Sequence, residues 1–281
     1  MYRTLLDKLL KWKNDPDRKP LILKGTRQVG KTYLLKEFGR KHFKKCHCLN
    51  FQRDLKLHSI FEKDLKPQAI VNDIEFTIKD KIDIENDILI FDEIQDCPPA
   101  LTSLKYFCED IPRLTVAAAG SLLGVTLGDK PFPVGKVSHL HLHPLSFEEF
   151  LLAMDDQKSF EILSKIKKNS TLSTIVHSHL MEMLKLYYVT GGLPEVVTTY
   201  LKYKNNKFEA LEKVRQKQRD IIKEYMSDFS KYASKVDAHT IVKVFEKIPY
   251  QLAKDNKKFR YSTIEPGGRF KQFSKPIDWL E

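Results

Sequence analysis

The sequence lacks the features of a membrane, fibrous or disulfide-rich protein. None of its 281 residues belongs to a run of about 18 uncharged apolar residues, the length that could span a bilayer. The leucines near the N-terminus are interrupted by Arg3, Asp7, Lys8 and Lys11, which excludes the apolar core of a signal peptide. No internal repeat or low-complexity tract is visible. With 42% apolar and 11% aromatic residues, the composition is globular, and we expect a cytoplasmic protein with no membrane partner.

The four cysteines are too few for a disulfide framework and are wrongly spaced for zinc. Cys46 and Cys48 fall on a predicted strand, where alternate residues share a face but the intervening His47 points to the other one. The Cys-x-x-Cys spacing of a zinc site is absent. We therefore expect reduced thiols that pack as apolar groups.

Positive charge is concentrated in the second half of the chain. The net charge is +11, and residues 1–150 hold 24 Lys and Arg against 21 Asp and Glu. Residues 151–281 hold 24 Lys and Arg against 16 Asp and Glu. Such an excess is typical of proteins that bind a polyanionic partner, and it is also typical of solvated lysine-rich helices, so both interpretations stay open.

Five short apolar segments alternate with segments of helical length and polarity. The predicted strands cover residues 21–23, 46–51, 88–91, 114–119 and 137–142. An alternation of strands and helices favours a parallel α/β sheet. From about residue 147 to 245 the pattern is helical almost throughout, with one strong break at residues 191–194, Gly-Gly-Leu-Pro.

A complete phosphate-binding motif follows the first predicted strand and opens an amphipathic helix. It consists of Gly25, Thr26, Arg27, Gln28, Val29, Gly30, Lys31 and Thr32, which is the G-x-x-x-x-G-K-[ST] pattern of a P-loop. The glycines let consecutive backbone N–H groups point inward, and the following helix presents its positive end to an anion. The pattern predicts that Lys31 reaches the β- and γ-phosphates of ATP and that the Thr32 hydroxyl is a ligand of Mg²⁺.

Two acids end the third predicted strand, as in the Walker B arrangement. Asp92 and Glu93 follow the apolar run Ile-Leu-Ile-Phe, and ligands of open α/β sheets bind at the carboxyl ends of the strands. We predict that Asp92 holds Mg²⁺ and that Glu93 orients and deprotonates the attacking water. At the end of the fourth strand, Ser121 follows a run of small residues, where AAA-type ATPases carry a polar residue that senses the γ-phosphate. A plain strand-end turn is the alternative for Ser121.

Several segments together resemble one family. In order along the chain, residues 20–32, 91–95, 119–121, 133–135, 144–150 and 191–194 resemble prokaryotic AAA-type P-loop ATPases whose C-terminal part is a restriction-endonuclease-like domain. The resemblance implies Mg²⁺-dependent ATP binding and hydrolysis. Lys136 stands where family members often carry arginine, and a lysine lacks the bidentate fork of arginine. Because members usually continue past residues 278–280, the resemblance also implies truncation before the nuclease-like domain.

The predicted fold class is α/β, a P-loop NTPase parallel sheet with flanking helices, followed by a helical domain and a partial winged-helix-like C-terminus. We assign residues 1–145, with the N-terminal helix, to the AAA-type ATPase core. Residues 146–248 are assigned to a helical lid-like domain, and residues 249–281 to the partial winged-helix-like segment.

Three functions follow as hypotheses. The first is an ATPase that uses Mg²⁺-dependent ATP binding and hydrolysis as a conformational switch, which Glu93 favours. The second is a nucleotide-gated DNA-binding module with little turnover, and the third is a regulatory scaffold that holds nucleotide permanently. The predicted partners are ATP, non-specific DNA, and a protein effector or a second copy of the chain. Candidates for an arginine finger are Arg27, Arg113, Arg215 and Arg219, or an arginine from a partner.

The DNA hypothesis depends on the tail of the chain. Residues 254–275 interleave aromatic residues with seven basic residues, namely Lys254, Lys257, Lys258, Arg260, Arg269, Lys271 and Lys275. Basic side chains neutralise phosphates and aromatic rings stack on bases, so this segment is a candidate DNA surface. A solvated basic face over a small core is the alternative.

Overall fold

The computed structural model describes residues 1–62, 64–121, 133, 135–166, 171–232, 235–256 and 258–280. Val134 of the family-like segments and Lys257 of the basic tail lie outside the described residues. The chain separates into two compact units, Met1–Asn205 and Asn206–Glu281. The predicted boundaries after residues 145 and 248 stay predictions, and they differ from the place where these units divide.

A five-stranded parallel sheet forms the base of the first unit. The strands are β1 (Leu21–Lys24), β2 (Cys46–Asn50), β3 (Ile88–Asp92), β4 (Thr115–Gly120) and β5 (Ser138–His141). Their order in the sheet is β2-β3-β4-β1-β5, and every neighbouring pair is parallel. The five predicted strands are confirmed, and so is the predicted class of a parallel α/β sheet with flanking helices and a helical region after it.

Helices cover both faces of the sheet. They are α1 (Leu5–Lys13), α2 (Lys31–His42), α3 (Pro67–Ile78) and α4 (Pro98–Asp110), with short 3-10 helices at Leu55–Phe61 and Ile94–Asp96. The central strands β1, β3 and β4 are almost entirely buried and largely apolar on both sides, so their alternate residues enter two cores. Ile90 and Ala117 pack with α1 and α2, whereas Phe91 and Ala118 pack with α3 and α4. The N-terminal helix therefore packs in the same core as the sheet and α2.

Four further helices complete the first unit, namely α5 (Phe147–Ala153), α6 (Gln157–Lys165), α7 (Thr174–Thr190) and α8 (Pro194–Tyr203). The predicted break at residues 191–194 separates α7 from α8. At this break the Leu145 N–H donates to the Gly192 carbonyl at 2.7 Å, and the Tyr187 hydroxyl donates to the Leu145 carbonyl at 2.6 Å. The end of α7 is thereby tied to the segment that leads from β5 into α5.

The second unit contains α9 (Lys207–Tyr232), α10 (Lys235–Leu252), a 3-10 helix at Tyr261–Thr263 and α11 (Phe270–Leu280). One small buried cluster of this unit contains Val244, Ile264 and Phe273. Helix α10 continues past Pro249 and so crosses the predicted boundary after residue 248. In the described residues beyond it, all regular elements are helical.

Among the residues that the structure describes, no helix combines the length and the apolar character needed to cross a bilayer.

Gly192 is predicted to be required for the contact between α7 and the start of α5. A Cβ atom at this position would lie 2.4 Å from the Leu145 carbonyl oxygen, so Gly192→Ala forces the two backbones apart. We expect a loss of about 3 kcal/mol of unfolding free energy in urea. Tryptophan fluorescence in a Trp279→Phe background reports on the first unit, because Trp12 is then the remaining tryptophan.

Gly191→Ala is the matched control. Gly191 has φ +71° and ψ −173°, a conformation essentially restricted to glycine, so alanine there meets a backbone penalty of about 1–3 kcal/mol but has no atom within 4 Å of its Cβ. A loss below about 1 kcal/mol in Gly192→Ala would contradict the close-approach argument, whatever the loss in Gly191→Ala.

Candidate functional site

The register of the sheet gathers the predicted site residues at one edge. Asn50 lies opposite Asp92, Asp92 lies opposite Ala119, and Lys24 lies opposite Gly120. The residues that follow these strand ends are the phosphate loop, Glu93 and Ser121. The carboxyl edge of β1, β3 and β4 is therefore the place where the motifs meet.

The phosphate loop is held in its shape by glycine and by its own lysine. Gly30 has φ +92°, a left-handed conformation that favours glycine, and it is the residue from which α2 starts. Lys31 is 6% exposed, and its Nζ donates to the carbonyl oxygens of Gly25 at 3.0 Å and Thr26 at 2.9 Å. The cation thus bridges the first two residues of the loop.

Burial changes the acidity of this cation. Desolvation lowers the pKa of Lys31 to about 8, because a buried ammonium loses the hydration that favours its charged form. The nearby Glu93 and Asp92 carboxylates oppose this shift, and Arg27 adds to it. Lys31 is therefore a cation near neutral pH whose charge is much more easily lost than that of an exposed lysine.

Thr32 and Asp92 are in direct contact, as the two predicted ligands of one metal ion need to be. The Thr32 hydroxyl donates to Asp92 Oδ1 at 2.7 Å. The Asn50 amide donates to Asp92 Oδ2 at 2.7 Å, and Asp92 is 3% exposed. A hydroxyl and a carboxylate oxygen side by side suit Mg²⁺, which prefers oxygen ligands and binds through one or two carboxylates together with substrate phosphates.

No cluster of three or more His, Cys, Asp or Glu side chains suited to a metal occurs among the described residues. The Thr32–Asp92 pair would therefore hold Mg²⁺ only together with oxygens from the nucleotide or from water.

Glu93 is held by Gln95, which ends the family-like segment 91–95 and to which the sequence analysis gave no role. Its backbone is left-handed with φ +52°, and Gln95 Nε2 donates to Glu93 Oε2 at 2.6 Å. Gln95 is 5% exposed, and its Oε1 has no hydrogen-bond partner in the described part of the chain. The carboxylate of Glu93 is thus kept at the sheet edge by a buried amide.

Ser121 lies directly after β4, next to the strand that leads into the phosphate loop. Its Oγ is buried and makes no hydrogen bond with the described residues. A buried hydroxyl without a partner is uncommon, because it loses hydration without compensation. The position is compatible with a ligand-sensing role, which stays a prediction.

The arginine candidates lie on separate elements of the chain. Arg113 precedes β4, at the opposite end of the strand from Ser121, and its Nη1 lies 2.9 Å from Glu85 Oε1 on the surface. Arg215 and Arg219 lie on α9 in the second unit, whereas Arg27 belongs to the phosphate loop itself. Lys136, at the position where relatives often have arginine, forms an ion pair with Glu109 at 3.0 Å.

Sequence reasoning missed the roles of Asn50 and Gln95 at this site. Asn50 could have been found, because it ends a parallel strand at the same edge as Asp92. Gln95 carried no such signal, since only the 3-10 helix Ile94–Asp96 turns its amide back onto Glu93.

Two family models match the sequence. Residues 17–151 match a family described as an AAA domain, and residues 181–281 match one described as a domain of unknown function (DUF8612). The first match covers all five strands and the motifs at their ends. With the parallel sheet and the strand–loop–helix unit, it supports an AAA-type P-loop ATPase domain with the P-loop NTPase fold in this part of the chain. Neither match shows a restriction-endonuclease-like domain.

Several solved structures are similar to the chain at low identity. PCH-2 from C. elegans is 13% identical with a TM-score of 0.44, and the match covers 78% of this chain and 70% of that one. AMPPCP-bound DnaA from Aquifex aeolicus is 14% identical with a TM-score of 0.41, covering 98% and 84%. Aeropyrum pernix ORC1 in complex with DNA is 13% identical with a TM-score of 0.41, covering 96% and 75%. No curated protein matches the sequence.

Lys31 is predicted to titrate well below the ordinary pKa of 10.5 for a lysine. NMR titration of the lysine Cε resonances should show a group with a pKa near 8 that is assigned to Lys31 by its loss in Lys31→Ala. In Glu93→Gln this pKa should fall further, because a charge that favours the ammonium has been removed. A Lys31 resonance that titrates at the ordinary value of 10.5 would contradict the burial of the amine.

Proposed function

We propose that this protein binds ATP with Mg²⁺ and hydrolyses it, and that the exchange of contacts around the phosphate loop serves as a conformational switch. The observation that carries the proposal is the direct Thr32–Asp92 contact beside a buried Lys31, with Glu93 next in the chain. These are the positioning parts that phosphoryl transfer requires, since its transition state is stabilised mainly by placed charges.

In the binding step, the loop amides of residues 25–31 and the amino end of α2 provide hydrogen-bond donors for phosphate oxygens. Lys31 would leave the Gly25 and Thr26 carbonyls and neutralise β- and γ-phosphate oxygens instead. Thr32 and Asp92 would hold Mg²⁺, which neutralises charge on the phosphates when bound.

In the hydrolytic step, Glu93 orients a water molecule and accepts its proton. The water oxygen forms a bond to the γ-phosphorus while the bond from this phosphorus to the β,γ-bridging oxygen breaks, and the electron pair of that bond stays on ADP. Gln95 holds the Glu93 carboxylate at the site, and Ser121, whose buried Oγ makes no hydrogen bond with the described residues, would contact the γ-phosphate or the water. These roles rest on position and chemistry together.

A switch is favoured because the loop contacts another part of the first unit. A Cβ at Gly30 would lie 3.8 Å from Pro194 Cγ, so the start of α8 packs beside the loop. Pro194 belongs to the break that is tied to Leu145 through Gly192. When Lys31 exchanges loop carbonyls for phosphates, a change in loop shape reaches α8 and α5 through these contacts.

Glu93→Gln is predicted to keep ATP affinity and to lose turnover. Glutamine preserves the shape of the side chain and can hold a water, but it cannot accept a proton, so we expect single-turnover hydrolysis to slow by at least about 100-fold. Equilibrium titration with a fluorescent ATP analogue measures the affinity, and a rapid-quench assay measures the chemistry.

Two further variants are the controls of this experiment. Lys31→Ala should lose most of the affinity, because it removes the buried cation of the loop, and Glu37→Gln on the surface of α2 should behave as the parent. Hydrolysis at the parent rate in Glu93→Gln would place the base elsewhere, and unchanged affinity in Lys31→Ala would refute the nucleotide site.

A second candidate function is DNA binding by the second unit. The described basic residues Lys254, Lys258, Arg260, Arg269, Lys271 and Lys275 are all exposed. They surround an ordered core rather than an unstructured tail, since the Tyr261 and Phe273 rings stack with centroids 6.2 Å apart. Phe270 is 63% exposed and is available to stack on a base.

Weak, sequence-independent DNA binding is predicted for this surface. The logarithm of the affinity should fall linearly with the logarithm of the salt concentration, with a slope of about −0.9 per phosphate contact on duplex DNA. Replacing Lys258, Arg260 and Lys271 with alanine should flatten this slope and leave ATP binding intact. The measurement is a fluorescence-anisotropy titration at several salt concentrations.

The control removes the same amount of charge from the first unit, by replacing the exposed residues Lys8, Lys11 and Lys41 with alanine. If both triple variants change the slope equally, net charge rather than this surface is responsible. Undetectable binding at low salt would end the DNA hypothesis.

A further inference from the structure

A buried arginine near the N-terminus contacts the phosphate loop. Arg3 is 6% exposed, and its Nη1 donates to the Val29 carbonyl oxygen at 3.0 Å. Its Nη2 donates to the His143 carbonyl, in the segment between β5 and α5. Its Nε lies 3.1 Å from Glu149 Oε2. One planar guanidinium therefore joins the segment before α1, the loop and the start of α5.

Glu149 fixes the orientation of this guanidinium. The carboxylate is itself buried at 4% exposure, and its Oε1 accepts from the Thr4 N–H at 2.7 Å and the Thr4 hydroxyl at 2.8 Å. Its Oε2 accepts from the Ser146 N–H at 3.2 Å, in the capping box that begins α5. The two opposite charges compensate each other in the interior, and the hydrogen bonds of Nη1, Nη2 and the Glu149 carboxylate limit rotation of both side chains, although Arg3 Nε makes no hydrogen bond with the described residues.

The contact with Val29 has a consequence for the next amide. In a trans peptide the carbonyl of one residue and the N–H of the next point in opposite directions across one rigid plane. An Arg3 that holds the Val29 carbonyl therefore also sets the direction of the Gly30 N–H. Gly30 is the left-handed residue at which α2 starts, and with no side chain it could otherwise take many conformations.

We propose that Arg3 is a positioning residue for the phosphate loop, which orients the Gly30 amide toward the bound nucleotide by holding the Val29 carbonyl on the opposite side. The proposal rests on the nucleotide site proposed above and adds to it a residue outside the motif. Glu149 supports the same role by holding Arg3. The planar fork suits this role, since Nη1 and Nη2 each hold one carbonyl while Nε faces Glu149, whereas a lysine has one compact ammonium for all three partners.

Arg18 is the matched control in the same unit. Its guanidinium also donates to two backbone carbonyls, those of Lys13 and Arg113, each at 2.9 Å. Neither carbonyl belongs to the phosphate loop. A general loss of stability from removing an arginine fork should appear in Arg18→Lys as well, whereas a loss of loop order should not.

The experiment compares the parent, Arg3→Lys and Arg18→Lys in three measurements. These are the affinity for a fluorescent ATP analogue with Mg²⁺, the thermal unfolding midpoint, and hydrogen–deuterium exchange of the segment 25–31 without nucleotide. In Arg3→Lys we expect about tenfold weaker nucleotide binding and faster exchange that is confined to this segment rather than spread over the first unit. Arg18→Lys should bind nucleotide as the parent does.

A second variant covers the case in which Arg3→Lys folds poorly because a buried partner is left unsatisfied. Arg3→Met combined with Glu149→Gln removes both charges together and leaves an amide oxygen to accept from Thr4 or Ser146. It should also bind nucleotide about tenfold more weakly and show the faster exchange.

The outcomes separate the two proposals. Parent-like affinity and exchange in both Arg3 variants would overturn the positioning role, and so would losses that only follow the unfolding midpoint. If the parent protein itself failed to bind ATP, the proposed function would fall, while the exchange of residues 25–31 without nucleotide would still decide whether Arg3 orders the loop.

Discussion

The parallel register of β2, β3 and β4 determines where the candidate site of this protein lies. Asp92 can contact Thr32 and Asn50 because β3 ends level with β2 and beside the strand that precedes Ser121. A shift of one residue in β3 would turn Asp92 to the other face of the sheet and exchange the two apolar sets that fill the cores. Register and site geometry therefore depend on the same buried side chains, such as Ile90 and Phe91.

The side chains of Lys31, Thr32 and Glu93 each have a protein partner that a ligand can replace. Lys31 is satisfied by two loop carbonyls, Thr32 by Asp92, and Glu93 by Gln95. Buried polar groups are costly when unpaired, so these internal contacts allow the site to fold before it meets a ligand. Nucleotide and metal would then exchange one set of contacts for another, which keeps the difference between the two states small enough for a switch.

The ion pairs of the first unit differ in kind. Those of Lys44 with Asp83 and Arg113 with Glu85 lie in solvent, where a pair contributes about 0–1 kcal/mol. Arg3 and Glu149 are both nearly inaccessible, and each is surrounded by further hydrogen-bond partners. Removing one member of such a pair leaves a buried charge uncompensated, which makes this pair the more sensitive to substitution.

Local patterns in the sequence determined the five strands, the parallel α/β class and the loop with Lys31 and Thr32, because apolar runs and glycine positions act over a few residues. They also indicated that Asp92 and Glu93 lie at a strand end. Only the tertiary structure decided that Asn50 holds Asp92, that Gln95 holds Glu93, and that Arg3 reaches a loop carbonyl 26 residues along the chain. The organisation of the last third of the chain was likewise beyond local patterns, since α10 continues through Pro249 and Phe273 enters a small core. The contacts of Asn50 and Arg3 join residues far apart in sequence, and Gln95 meets Glu93 only because a 3-10 helix turns its amide back. No periodicity or spacing encodes which carbonyl or carboxylate a buried side chain will meet.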